Sequence, residues 1–332
     1  MWRRGGRWPL VALVAAVAAV AGSVGSASGG KSPNASQIPS EVTIAYQPGI
    51  GYAPLIIIRR QRLLEKRYPG TKFNWRVLAS GTPITEGVIS GDIQIGAMGV
   101  SPFLVGWARG VGWKLLSALD DADLWLMARD PSIRTIGDLR GKRVATPTNT
   151  SIQATVLRRA AQARLGDARA LDTTLVALDH PDGLAALFGG QIQAHFTSPP
   201  FQFIEQQRGA RILLRSSSLF GEHTFLGVAM TEKFYDQNTA FAKGFYKDIQ
   251  AAMKMLQKKP GQAAAILSAD SGGRTTAYGF RRYIKSPAID FTVRPKGFMR
   301  FARFMNEIGA IRKMPANWKE LTFPTLHNTK GS

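Results

Sequence analysis

The chain has 332 residues, 45% of them hydrophobic and 34 of them glycine, which is room for two domains and the balance of a globular α/β protein rather than a disordered one. Its formal charge is +21, but the basic residues are dispersed. The densest groups, Arg59-Arg60-Gln61-Arg62, Arg158-Arg159 and Arg281-Arg282, form no long run and accompany no nucleic-acid motif, so a solvated arginine-rich surface is expected and no nucleic-acid partner. The absence of cysteine removes disulfides, thiolate metal sites and a cysteine nucleophile, and the four histidines (His180, His195, His223, His327) share no metal-ligand spacing, so no metal and no cofactor are expected.

Residues 1–30 read as a secretory signal peptide. Arg3, Arg4 and Arg7 form a basic start, residues 10–21 an apolar run too short to span a membrane, and small residues follow, with Gly25-x-Ala27 or Ala21-x-Ser23 as the cleavage site. Arg3-Arg4 leaves twin-arginine export open beside the general route, although the apolar pair of that signal is missing. No cysteine is present for a lipid anchor. The expected product is periplasmic and monomeric.

After a polar tail at residues 31–40 the fold begins. Residues 42–46 alternate and are β-branched, which predicts a strand. Gln47-Pro48-Gly49-Ile50-Gly51 is a turn, and residues 52–68 predict one helix ended by Pro69-Gly70. A strand at 73–79 leads to Ser80-Gly81-Thr82-Pro83, a helix N-terminus. Strands at 92–98 and 113–119 flank a helix opened by Gly99-Val100-Ser101-Pro102. A new unit starts with a strand at 124–128, then a strand ending near Ala145, a helix at 152–165 capped within Thr148-Asn149-Thr150-Ser151, a strand at 174–178, and a helix opened by Asp179-His180-Pro181. Residues 212–214 and 224–230 are the last strands, and helices follow at 241–256, 260–269 and 296–308, with an irregular tail. Strand-helix alternation indicates mostly parallel sheets. The second unit interrupts the first, so the expected division is lobe I at 41–127 and 224–332 and lobe II at 128–223, joined by a hinge of two crossings.

One pattern occurs twice. GVISGDIQIGAMGVSPF (87–103) and GLAALFGGQIQAHFTSPPF (183–201) each read as a helix end, a glycine turn, an apolar strand and Ser-Pro. Ligands of open α/β sheets bind beyond the carboxyl ends of strands, so two such ends predict a cleft between two lobes.

The segment 132–151, SIRTIGDLRGKRVATPTNTS, together with QPGIGYAPL (47–55), SGDIQIGAMGVSPF (90–103) and HPDGLAALFGGQIQAHFTSPPF (180–201), resembles the periplasmic substrate-binding proteins of ABC transporters for nitrate, sulfonate and taurine, a group related to thiamine-precursor binders. The resemblance spans about 41–322 and implies a type II periplasmic-binding-protein fold: two α/β lobes with mostly parallel sheets around a ligand cleft. It also implies an inner-membrane permease with a cytoplasmic ATPase as partners. The chain departs from the family at Asn149-Thr150-Ser151, where Gly-Ser is frequent, and in lacking a histidine in the helix that follows.

Helix starts near Gly51, Ser80, Ser101, Thr150, His180 and Ser198 are expected at the cleft, each presenting free N–H groups and a positive dipole end to an anion. The candidate ligand contacts are Gln47, Gly51, Tyr52, Ser80, Gly81, Thr82, Val100, Ser101, Asn149, Thr150, Ser151, His195, Thr197, Ser198, Pro199 and His223. Each cap is equally an ordinary N-cap worth about 1 kcal/mol. His195 equally fits a satisfied interior histidine, and His223 a pH reporter at the return crossing. Tyr52, Trp125, Phe196 and Phe201 are candidate walls. No GxSxG or P-loop is present. The expected function is therefore a receptor for a small organic anion, not an enzyme. A cofactor-independent enzyme on the same fold, or a sensor that presents ligand to a membrane receptor, stands as the alternative.

Overall fold

The computed structural model describes residues 37–332, so the expected targeting segment lies outside the described residues. Two sheets organise the chain. The first is built from β1 (Glu41–Tyr46), β2 (Lys72–Val77), β3 (Ile95–Gly99) and β4 (Trp113–Ala122). Between them run α1 (Ala53–Arg60), α2 (Leu63–Arg67), α3 (Gly81–Ser90) and α4 (Val100–Ala108). The second is built from β5 (Trp125–Ala128), β6 (Val144–Thr146), β7 (Leu175–Ala177), β8 (Ala194–Phe196) and β9 (Arg211–Arg215), with α5 (Ile152–Leu165), α6 (His180–Phe188), α7 (Phe201–Gln207) and α8 (Ser217–Phe220). The chain then returns through β10 (Thr224–Thr231) to α9 (Glu232–Gln237), α10 (Thr239–Lys258), α11 (Pro260–Asp270), α12 (Ala277–Ile284), β11 (Ile289–Asp290) and α13 (Phe298–Glu307).

The strand orders are β11-β4-β10-β3-β1-β2 and β7-β6-β8-β5-β9. Without the short edge strand β11, the two follow one plan. Three parallel strands have the first in the middle (β2-β1-β3, β7-β6-β8), then one antiparallel strand (β10, β5), then the last (β4, β9). The antiparallel strand is in each case the one that carries the chain in from the other sheet. The repeated pattern noted in the sequence maps onto α3-β3-α4 and α6-β8-α7. Helices cover both faces of the parallel strands, which is why β3 and β8 are buried along their whole length.

Two expectations change. The single helix at 52–68 is broken at Gln61 and Arg62, with Arg62 in the left-handed region at φ 53°. Ile57, Ile58 and Leu64 on either side of the break are fully buried. The irregular tail is also part of the core. Leu321 and Leu326 are fully buried, Phe323 stacks on Tyr235 at 3.9 Å, and the Phe323 N–H donates to the Leu115 carbonyl at 2.9 Å.

The two crossings are tied together. Leu124 N–H donates to Ser216 Oγ and Ser216 N–H to the Leu124 carbonyl, both at 2.8 Å. The Asp123 carboxylate accepts from Ser217 N–H (3.0 Å), Trp125 Nε1 (3.0 Å) and Arg215 Nη1 (2.9 Å). Across the gap, helices and turns that flank the two sheets touch. Ile50 N–H donates to the Pro199 carbonyl at 3.3 Å, Gln162 Nε2 to Glu307 Oε1 at 2.7 Å, and Phe220 stacks on Phe301 at 4.0 Å.

Candidate ligand-binding cleft

Where the strand ends of the two sheets face each other lies a closed cleft of about 20 Å³, room for about one water molecule. Its wall on the first sheet is Gln47 and Tyr52 after β1, Gly81 at the start of α3, Gly99 and Pro102 around the start of α4, and Phe225 and Leu226 on β10. Its wall on the second is Pro147, Thr148, Ser151, Ile152 and Gln153 after β6, and His180 at the start of α6. Five of the six expected helix starts (α1, α3, α4, α5 and α6) thus converge on one point. No lysine or arginine lines it. Helix ends at its walls present backbone N–H groups, the arrangement that holds small anions without an ion pair.

Of the candidate residues, Gln47, Tyr52, Gly81 and Ser151 line the cleft. The Gln47 amide donates to the Tyr52 hydroxyl at 2.8 Å, which fixes both. Ser151 Oγ accepts from Ala154 N–H at 3.2 Å and is the cap of α5. Gly51 turns away, against Asp120 and Leu226; a Cβ on it would come within 2.6 Å of Asp120 Oδ2. Ser80 precedes α3 without bonding its N–H groups, and Thr82 is exposed beside a separate cavity between α3 and α4. Asn149 and Thr150 open onto a surface cavity with Arg109, Arg158 and Arg169. Val100 is buried in the first turn of α4.

Ser101 and Thr197 are both 0% exposed, and the hydroxyl of each has no hydrogen-bond partner. Ser101 sits in the first turn of α4. Thr197 follows β8, where its N–H donates to the Trp125 carbonyl. Unsatisfied buried hydroxyls are uncommon in proteins and ask for an explanation. The Ser198 carbonyl accepts from Gln202 N–H in the turn before α7, and the Pro199 carbonyl bridges to Ile50.

The two histidines among the candidates lie elsewhere. His195 is fully buried in β8, behind the cleft, with both ring nitrogens partnered by His180 and Glu205. His223 lies on the return crossing, in a cavity of about 230 Å³ with Asp121, Asp123 and Lys296; burial lowers its pKa. Phe225 and Leu226, just after it on β10, line the cleft, whereas His223 itself belongs to the cavity with Asp121 and Lys296.

Sequence reasoning missed Gln153, His180 as a lining side chain, and Asp120. Asp120 is fully buried on β4 behind Gly51. Its Oδ1 accepts from Leu226 N–H at 3.1 Å and its Oδ2 has no partner. Burial, reinforced by the charge of Asp121, pushes its pKa well above the ordinary carboxylate range. The Asp120-Asp121-Ala122-Asp123 run was visible, but only the packing of Gly51 and Leu226 shows that its first member is dry.

A profile of the NMT1-like family matches residues 35–269, most of the chain. The chain belongs to that family. A relative in Escherichia coli (strain K12), named for the binding of aliphatic sulfonates, is 27% identical over 243 residues, covering 72% of this chain and 74% of its own. Among solved structures, the alkanesulfonate-binding protein SsuA from Xanthomonas axonopodis pv. citri, bound to MOPS, superposes with a TM-score of 0.70 at 23% identity, over 84% of this chain and 96% of its own. The periplasmic nitrate-binding protein NrtA from Synechocystis PCC 6803 superposes with a TM-score of 0.69 at 13% identity, over 85% and 86%. At these identities the structures establish the fold. The NMT1-like chain described here has the two-lobed type II periplasmic-binding architecture.

Two expectations follow from the cleft. Ser151→Ala removes a made cap bond and is expected to cost about 1 kcal/mol. Ser101→Ala and Thr197→Val remove hydroxyls that bond nothing in the protein while keeping the buried carbon atoms, so their melting temperatures in the absence of added anions are expected to equal or exceed the wild type. Thermal melts of the three variants check this, and losses as large as that of Ser151→Ala would show that the two hydroxyls are structural. Asp120 keeps its proton in the folded chain at pH values where the unfolded chain has lost it. Its raised pKa therefore makes stability fall as pH rises from about 4 toward the folded value. Asp120→Asn keeps an acceptor for Leu226 and is expected to melt higher than wild type at pH 7.5, with the gap closing at pH 4; a variant that melts lower at pH 7.5 contradicts the assignment.

Proposed function

We propose that the protein is an extracytoplasmic solute receptor, exported through residues 1–30, that closes its two lobes on a small organic anion of the sulfonate class and hands it to an ABC permease. The observation that carries this reading is the convergence of five helix starts on a cleft lined by no lysine or arginine, with Ser101, in the first turn of α4, and Thr197, after β8, keeping buried hydroxyls that have no partner. An oxyanion group with three equivalent oxygens accepts from several N–H and O–H donors at once, and a ring of helix ends supplies them at low cost in desolvated charge. The relatives named for aliphatic sulfonates, and the sulfonate buffer in the Xanthomonas structure, are of the chemical class this ring suits. Nitrate has the same three-oxygen face, and the fold likeness to the nitrate-binding protein places it on the panel.

Closure is the functional step. Contacts such as Ile50 to Pro199 and Phe220 to Phe301 form between lobes, so a ligand that bonds both walls favours the state that makes them. Nothing in the lining has the nucleophile-base geometry of a catalytic site, and the reading assigns the cleft to binding.

Ethanesulfonate, taurine, nitrate, acetate and glucose, each tested against the purified protein by thermal shift, check the reading. A ligand at about a hundred times its Kd stabilises by about 2.7 kcal/mol, equivalent to about 5–10 °C for a chain of this size. Ethanesulfonate or taurine is expected to give the largest rise, and Ser101→Ala and Thr197→Val to reduce it. A rise with glucose alone would overturn the anion reading.

A further inference from the structure

The second wall of the cleft continues inward as a single hydrogen-bonded file. Gln153 and His180 line the cleft. The Gln153 amide meets His180 Nε2 at 3.2 Å, His180 Nδ1 meets His195 Nε2 at 3.3 Å, and His195 Nδ1 meets Glu205 Oε1 at 2.6 Å. Four elements supply it: α5, α6, β8 and α7. Gln153 is 2% exposed, His180 8%, and His195 and Glu205 0%. The rings meet because position 183 is glycine; a Cβ there would stand 2.5 Å from His195 Nε2. Phe201 stacks on His180 from the other side, at 5.6 Å. The remaining charges felt by the file are Asp179, at the cap of α6, acting on His195, and Arg208, after α7, acting on Glu205.

A dry carboxyl joined to a dry imidazole holds one proton between them, as an ion pair or as acid and base. Burial pushes Glu205 up to about 9 and both histidines down, so the resting form is the neutral one: Glu205 Oε1–H donates to an unprotonated His195 Nδ1. His195 then carries its proton on Nε2 and donates to His180 Nδ1. His180 carries its own on Nε2, and the Gln153 amide, whose nitrogen faces that ring atom at 3.2 Å, has to turn over for its oxygen to accept it.

We propose that Glu205 is the cleft's internal proton donor: an anion entering between the lobes draws the Glu205 proton onto His195 Nδ1 while His195 Nε2 passes its own to His180 Nδ1, placing an imidazolium beside the anion and a carboxylate two rings behind it. The proposal rests on the reading of the cleft as an anion site. One O–H and one N–H bond break and two N–H bonds form. No electrons are exchanged, nothing is drawn from solvent, and the net charge of the chain is unchanged. The cleft thereby carries no standing cationic side chain, yet presents one when an anion arrives. A neutral solute induces no such transfer, so the device also selects for charge.

Because the proton is already inside, the affinity of the wild type is expected to be flat between pH 6 and 8.5. Glu205→Gln keeps the shape and the hydrogen bond but has no proton to give. The His180 imidazolium must then form from solvent, and affinity is expected to fall by about tenfold per pH unit as pH rises. Isothermal titration with ethanesulfonate, taurine and nitrate, in buffers of different ionisation enthalpy, reads both Kd and proton uptake. Expected are no uptake for the wild type, and for Glu205→Gln an uptake approaching one proton with binding at least tenfold weaker at pH 8. Glu205→Gln binding with wild-type affinity at every pH, or a wild type that takes up a proton, overturns the proposal while leaving the anion reading intact. A wild type that binds none of the three anions overturns the reading and the proposal with it. Histidine ¹⁵N NMR of the wild type needs no variant: His180 is expected to become doubly protonated when anion is added, and a ring that stays neutral in the bound state refutes the transfer.

Discussion

The cleft exists where it does because Asp123 knots the two crossings of the chain. One carboxylate holds the start of β5, through Trp125, and the end of β9, through Arg215 and Ser217. The Leu124–Ser216 pair locks the same point along the backbone. With the crossings fixed to each other, the two sheets have one line about which to approach, and the strand ends that face each other are the carboxyl ends of β1, β2, β3, β6 and β7. Each of those strands is followed by a helix, so the geometry that brings the sheets together also brings helix N-termini together. The binding chemistry is a consequence of the topology before any side chain is chosen.

That explains an apparent mismatch between composition and site. The chain has a formal charge of +21, yet its cleft is lined by no lysine or arginine. A larger cavity, about 800 Å³, is an open groove beside the hinge where Arg215, Arg281, Arg282 and Lys285 gather around Trp125 and Tyr283. Its cations are solvated, and Arg215 is already committed to Asp123 and to the face of Trp125. Solvated charge screens readily and confers little specificity, whereas fixed dipoles in a dry cleft act at full strength on an anion of matching shape. On the proposed reading, the surface field draws anions in and the helix ends choose among them.

Much of this was legible in the sequence because it is local. Strand-helix alternation, the caps at Ser151 and Asp179 and the glycine turns before β3 and β8 follow from spacing alone, and so does the placing of helix starts at a cleft. What was not legible depends on which distant groups end up dry. Glu205 lies in a sequence, FQFIEQQRG, that reads as a polar helix face; only the seating of α7 against β8 buries it beside His195. Asp120 looks like one of several acids until Gly51 and Leu226 seal it. His223 lies two residues before the cleft-lining Phe225, yet its own surroundings are Asp121, Asp123 and Lys296, a neighbourhood the sequence order does not show. Hydrophobic pattern predicts where apolar side chains go; it is silent about a polar side chain whose burial is compensated by one distant partner.

A crystal structure of the purified protein grown with ethanesulfonate tests the central claim most directly. The account predicts the sulfonate between the sheets, its oxygens within hydrogen-bond distance of the Ser101 and Thr197 hydroxyls and of N–H groups at the starts of α4 and α5. A sulfonate held instead by Arg281 and Arg282 in the hinge groove, with Ser101 and Thr197 still unpartnered, would contradict it.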